Sequence, residues 1–268
     1  METKLFFINA LSNLHVGSGE INYGLVDNLI QRDPVSGLPT INSSSLKGAL
    51  REHFSNLTDT KVDVKTIFGS DPKETKSRQQ GSVRFFDADL VSIPIRATGA
   101  TFSFAHATSS ATLKRIALRN QQMNVDDSHV FLSIDKLPTT QGSSTVSVKL
   151  EDLINDVPVY TTNQFAPIVG EHLAIVSENQ LNQLCNNEHL PIISRNCLDN
   201  GQSTNLFYEQ VLPRYSRLVT IVMGEGEKFE AFCKALNNQI IQIGAHATIG
   251  YGFCQFTIFP LTNNTLQK

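Results

Sequence analysis

Several things are missing from this chain, and each absence excludes something. There is no Cys-x-x-Cys pair. Cys185, Cys197, Cys233 and Cys254 are scattered, so they read as buried free thiols of a reducing compartment, not as a zinc site or disulfide framework. There is no excess of positive charge: 22 Lys and Arg against 25 Asp and Glu leave a net charge of −3. Bulk coating of a polyanion is therefore excluded, and any nucleic-acid surface must be a local patch. No charged-then-apolar leader and no bilayer-length apolar run is present, so a soluble, cytoplasmic protein with no membrane partner is expected.

What remains is ordinary globular material, 40% apolar and 18% charged, in 268 residues. That length suits one large domain, or a core with insertions. Residues 14–54 carry most of the chemistry. Gly17-Ser18-Gly19 ends an apolar, strand-like run, with His15 just before it, and Tyr23-Gly24 marks a second bend. Asp27 follows with no carboxylate nearby, so it is not half of a glycosidase-type pair. Arg32-Asp33-Pro34, Gly37 and Pro39 form a turn. A helix then starts at Ser43 or Ser44, with Leu46, Ala49, Leu50 and Phe54 on one face. Lys47 and Arg51 share the other side, with Gly48 between them. A helix-interior glycine costs about 1 kcal/mol relative to alanine, so close approach of another backbone is expected there. Serine hydroxyls, first-turn amides and two cations suit a phosphate. An ordinary capped amphipathic helix with solvated cations fits the same pattern.

Elsewhere the patterning predicts a strand over 5–14, a polar loop over 56–80 anchored by Ile67-Phe68-Gly69, and a strand pair, Ile93–Arg96 with Thr101–Phe104, around Gly99. Thr108-Ser109-Ser110 caps a helix that buries Leu113, Ile116 and Ala117, leaving Lys114, Arg115 and Arg119 solvated or facing a neighbour. Asp87 and Asp89 read as structural or turn residues, not as metal ligands. Strands are predicted at 130–132, 146–148 and 173–176, a helix over 178–185, and a hairpin over 190–205 about an Asp-Asn-Gly turn. A strand over 214–224 precedes a helix over 227–243 with Gly244 as its C-cap. A glycine-rich loop over 244–252 and a strand over 253–259 close the chain. Strand, helix, strand, repeated, makes an α+β fold with a ferredoxin-like or RRM-like core and insertions.

These residues resemble the RAMP superfamily of CRISPR-associated proteins. His15, Gly17, Gly19, Gly24, Asp27, Arg32, Gly37, Pro39 and the run Ser44-Ser45-Leu46-Lys47-Gly48 with Arg51 match its signature. Asn42-Ser43 departs, where Pro-Gly is usual. The likeness continues through 67–69, 81–88 and Pro94-x-Arg96. It includes Leu206–Pro213, where Glu209 is kept and Gln210 replaces a common second Glu. The terminal loop keeps Thr248, Gly250 and Gly252 but departs at Ala245 and His246. Within the superfamily the chain is most similar to the backbone RNase subunits of type III-B (Cmr) effectors, with the type III-A (Csm) counterparts next.

The resemblance implies a single domain over 1–268, with core segments about 1–55, 81–120 and 206–260 and insertions at 56–80 and 121–205. It implies an RNA-guided endoribonuclease: several copies in a filament line the guide (CRISPR) RNA beside other effector subunits and cut complementary target RNA at regular intervals. Asp27 would be essential, positioning a 2′-OH or holding a divalent cation, Mg2+ or Mn2+. His15 and Glu209 would be further catalytic participants. Lys47, Arg51, Ser44, Ser45 and Arg32, with Gly244, Thr248, Gly250 and Gly252 of the loop, would bind RNA. Residues 192–204 would be a thumb wedged between guide and target. A sheet of this plan can meet splayed bases on one open face; the RRM aromatic pairs are absent, so backbone and shape contacts are expected. The alternative is a catalytically silent guide-binding backbone.

Overall fold

The computed structural model describes residues 1–19, 24–58, 60–71, 78–125, 129–139, 145–151, 153–199 and 202–258. Tyr23 of the second bend, the 200–201 tip of the hairpin and Phe259 lie outside them. The first unit runs β1 (Glu2–Ala10), β2 (Thr40–Ile41), α1 (Ser43–Asn56), α2 (Val64–Phe68), β3 (Arg84–Phe85) and β4 (Ala88–Thr98). The middle comprises β5 (Phe104–Ser109), α3 (Ser110–Gln122), α4 (His129–Asp135), β6 (Thr145–Leu150), β7 (Val157–Thr161), α5 (Ala166–Val169), β8 (His172–Val176) and α6 (Glu178–Leu184). Then come β9 (Ile192–Asp199), β10 (Gln202–Gln210), β11 (Arg217–Gly224), α7 (Glu227–Leu236), β12 (Ile240–Gln242) and β13 (Phe253–Ile258).

At the centre lies the order β13-β1-β11-β4, each neighbour antiparallel. With α1 joining β1 to β4 and α7 joining β11 to β13, this is the ferredoxin-like plan. The sheet continues through β5, β8, β7 and β6, reaching eleven strands with its branches. The β9–β10 hairpin forms a separate two-stranded sheet. Its return strand extends to Gln210, beyond the predicted end at 205.

Alternate residues of β1 and β11 supply two cores. Phe6, Ile8, Leu218 and Val222 pack with Leu46, Leu50 and Phe54 of α1 and with Phe229, Phe232 and Leu236 of α7. Leu5, Phe7, Val219 and Ile221 pack on the other side with Leu113 and Ile116 of α3, Phe131 and Ile134 of α4, and Ile168. Both faces are therefore covered. The expected open face for RNA bases is occupied by α3 and α4, as the near-continuous apolar run of β1 requires. Cys185, Cys233 and Cys254 are buried free thiols, as expected.

Other expectations need correction. Residues 130–132 are helical: Val130, Phe131 and Ile134 all turn inward, and a short apolar run does not fix its own period. The last helix stops at Leu236. Asn238 takes a positive φ of 63°, and Ile240 and Ile241 join β12 against β13, so Gly244 lies between strands and caps no helix. β1 ends at Ala10 rather than 14, and β4's partner is Phe104–Ser109 rather than 101–104. Helix α1 is preceded by Asn42, without a side-chain cap. Among the described residues nothing lies within 4 Å of a Cβ placed on Gly48, so no described backbone approaches there. Arg119, Lys114 and Arg115 are paired internally, with Asp89, Asp135 and Glu178.

Candidate active site

Three consecutive residues at the base of β10 organise the site. Tyr208 holds Asp27: its amide donates to Asp27 Oδ2 at 2.7 Å, and its carbonyl accepts from the amides of Asp27 and Asn28 at 3.0 and 3.2 Å. The Asp27 carboxylate is exposed, and this contact engages one of its two oxygens.

Glu209 is only 3% exposed. It pairs with Arg195 from β9 and accepts from His246 Nε2 at 2.9 Å and from Asn28 Nδ2 at 3.3 Å. Burial pushes its carboxyl upward. Hydrogen bonds from His246 and Arg195 and the nearby charge of His15 outweigh that and hold it below the usual carboxylate value. The Arg195 guanidinium also lies over the Tyr251 ring, 4.8 Å from its centroid.

Gln210 holds His15, whose Nδ1–H donates to the Gln210 carbonyl at 2.7 Å. His15 is 4% exposed, and its ring lies 5.8 Å from that of His246. The Gln210 side chain accepts from Ile30 N and donates to Asn187. A glutamate there has no donor for Asn187, which gives the departure at 210 a local reason.

The glycine-rich loop meets the N-terminal motif directly. Ala245 N donates to His15 O, and Gly252 N to Asn13 O, both at 2.9 Å. Gly244 has φ +81°, and a Cβ there would sit 2.2 Å from His15 O, so only glycine fits. Gln31 ties the same turn to α1. Its Nε2 donates to Gly17 O at 3.2 Å and to Ser45 Oγ at 3.0 Å, and its Oε1 accepts from Asn42 N at 2.8 Å. Segments of the chain more than 200 residues apart thus converge on residues 13–17.

The proposed phosphate ligands are placed unevenly. Ser44, Thr248 and Gly250 are exposed, and Lys47 is half-buried beside Gln80–Arg84. Arg51 Nη2 donates to Gly69 O at 3.0 Å, tying α1 to the α2 loop. Arg32 turns inward to Gly37 O and Asn187 Oδ1, and burial lowers its pKa. Asp87 Oδ1 already accepts from Ser43 N at 2.5 Å, so a carboxylate occupies part of the α1 N-terminus. Sequence reasoning missed Gln31, Tyr208 and His246 as organising residues. The signals were the departures at 210 and 246 and, for Tyr208, its place in the matched run 206–213.

Among the described residues no three His, Cys, Asp or Glu side chains form a metal group. The exposed Asp27 carboxylate offers a single oxygen ligand to a hard divalent cation.

The fold and the convergent motifs define a protein of the RAMP superfamily, and the chain belongs to it, its family profile matching residues 7–255. The CRISPR system Cmr endoribonuclease Cmr4 of Pyrococcus furiosus is 25% identical over 295 aligned positions, 98% of each chain. The CRISPR system CMR subunit Cmr4 of Saccharolobus solfataricus is 24% identical over 94% of this chain and 95% of that one. In fold the chain is similar to a subunit of the type III-B Cmr-beta complex bound to cognate target RNA, with TM-score 0.76, 22% identity and coverage of 96% and 97%. Oligomeric Cmr4 from Pyrococcus furiosus superposes with TM-score 0.67 at 20% identity, over 96% and 98% of the chains.

Proposed function

We propose that this chain is the backbone subunit of a type III-B CRISPR effector, binding guide RNA and cutting complementary target RNA at regular intervals in the cytoplasm. Membership of the superfamily and the Cmr4 relatives support that reading. The observation that carries it is the base of β10, where three successive residues gather Asp27, His246 with Arg195, and His15.

Cleavage by an adjacent 2′-OH forms a 2′-O–P bond as the P–O5′ bond breaks: the hydroxyl proton is removed, the departing 5′-oxygen takes a proton from water, and the charge growing on the phosphoryl oxygens is offset. Asp27 is the exposed group able to orient the hydroxyl and accept its proton. His15 and Glu209 are buried, so they act as positioning residues, fixing the strand that holds Asp27. A divalent ion shared between Asp27 and the RNA would offset phosphate charge when bound. Ser44, Lys47, Thr248 and Gly250 offer guide phosphates an accessible edge; Arg51, Arg32, Ser45, Gly244 and Gly252 brace it. The β9–β10 hairpin serves as the wedge between guide and target, in a filament of copies of this chain with other effector subunits.

The test uses assembled complex, guide and end-labelled complementary RNA. Asp27→Ala should slow cleavage at least about 100-fold while target binding persists. A cutting ladder at the wild-type rate would remove the catalytic assignment and leave a silent guide-binding scaffold.

A further inference from the structure

A cavity of about 320 Å³ lies between the β4–β5 turn and the first residues of β8 and β11. That is within the range of small-molecule pockets, about 300–1,000 Å³. None of its lining residues belongs to the site at 208–210. Its walls are two stacked pairs: Phe102 on His172, with centroids 4.0 Å apart and 16° between planes, and Phe104 on Tyr215, 5.5 Å apart and 4° between planes.

The pocket is built at a conformational cost. Tyr215 has φ +74°, a region a bulky residue rarely enters. His106 pins it there, its Nε2 bonded to Tyr215 O at 3.0 Å. His106 in turn packs against Gly170, where an added Cβ would sit 2.0 Å from its ring. Burial depresses the His106 pKa to about 4, so near neutral pH it is an uncharged N–H donor to that carbonyl. A glycine without room for a side chain, a buried imidazole and a left-handed tyrosine thus fix the Tyr215 ring against Phe104, with the Arg214 guanidinium also over it, 5.3 Å from its centroid.

Polar groups sit at the same cavity. Arg217 and Glu171 both line it, and Arg217 Nε is buried with no hydrogen-bond partner among the described residues. An aromatic slot with a guanidinium donor and a carboxylate acceptor matches a purine. The flat ring stacks on the walls, N7 accepts from arginine, and the ring or exocyclic N–H groups donate to glutamate. Pyrimidines lack N7.

We propose that the cavity formed by Phe102, Phe104, Tyr215, Arg217 and Glu171 is a binding site for a single purine base. This assignment stands apart from the proposed nuclease activity and survives its failure.

The purified full-length chain is titrated with GMP, AMP, CMP and UMP, followed by calorimetry and saturation-transfer NMR. The purine nucleotides are expected to bind at least tenfold more tightly than the pyrimidine nucleotides. Tyr215→Asn keeps a residue that tolerates a left-handed backbone, and Arg217→Met keeps the stem. Each should weaken GMP binding at least tenfold while the chain still melts cooperatively. An oligouridine carrying one internal guanosine separates the sources: displacement of GMP assigns the base to an RNA strand, and failure to displace assigns it to a free nucleotide. Equal binding of all four nucleotides, no binding at millimolar GMP, or wild-type affinity in folded Tyr215→Asn would overturn the proposal.

Discussion

Replacing Glu209 by Gln removes a single charge from the interior while keeping the shape and one acceptor. The carboxylate is 3% exposed, and the Arg195 side chain facing it is 16% exposed. Stripping one partner from a buried pair costs about 3–5 kcal/mol, because the other charge is left desolvated and unpaired. Arg195 keeps some contact with water and with the Tyr251 ring, which places the cost at the low end, about 3 kcal/mol. For a chain of this length each kcal/mol is worth about 2 °C in Tm, so Glu209→Gln should melt about 6 °C lower at pH 7. Glu209 titrates below its ordinary 4.5 in the folded chain. Its contribution is therefore complete above pH 4.5 and is lost as the pH falls through the depressed value. The gap between wild type and variant should close in acid. A double-mutant cycle with Arg195→Met should return a coupling of about 1–3 kcal/mol. If Glu209→Gln melts within about 1 °C of wild type at pH 7, or the coupling is below about 0.5 kcal/mol, the pair does not hold the hairpin base and the positioning argument for Asp27 goes with it.

Gly48→Ala should raise Tm by about 2 °C, since the site is open and alanine gains about 1 kcal/mol in a helix interior; a lower Tm in the isolated chain would show that something does pack there. His106 must gain its proton in the unfolded chain near pH 6.5 but only near 4 when folded. Stability is therefore full above 6.5 and falls by about 3 kcal/mol on the way down to 4. His106→Gln should lose that much less between pH 7 and 4 in denaturant titrations, and parallel profiles for the two proteins would refute the buried neutral imidazole.

The parts of the fold that were readable are those whose signal is local. Leu46, Leu50 and Phe54 repeat at helical spacing over about two turns, and all three are buried in α1. Ser109 was readable as a cap, and its hydroxyl accepts from Thr112 N. The hairpin showed in its turn residues, although its strand runs five residues further than predicted. Unreadable parts fail for one reason: the deciding contact is distant. Val130–Leu132 is too short to reveal its period, and packing on α3 makes it a helix. Residues 240–243 continue a helical stripe, but β13 draws them into a strand.

Residue types and spacings along the chain by themselves determined the ferredoxin-like order, the amphipathic helices and the membership of Asp27, His15 and the glycine loop in one family of motifs. Each of these depends on neighbours within a few residues, where the geometry of a helix or turn is set. Tertiary structure alone decided what those groups touch. Asp27 meets Tyr208 across 181 residues, Glu209 meets His246 across 37, and Arg51 spends a nitrogen on Gly69 instead of facing solvent. Hydrogen bonds and desolvation act on proximity in space, and that proximity exists only after both faces of the sheet have found their helices.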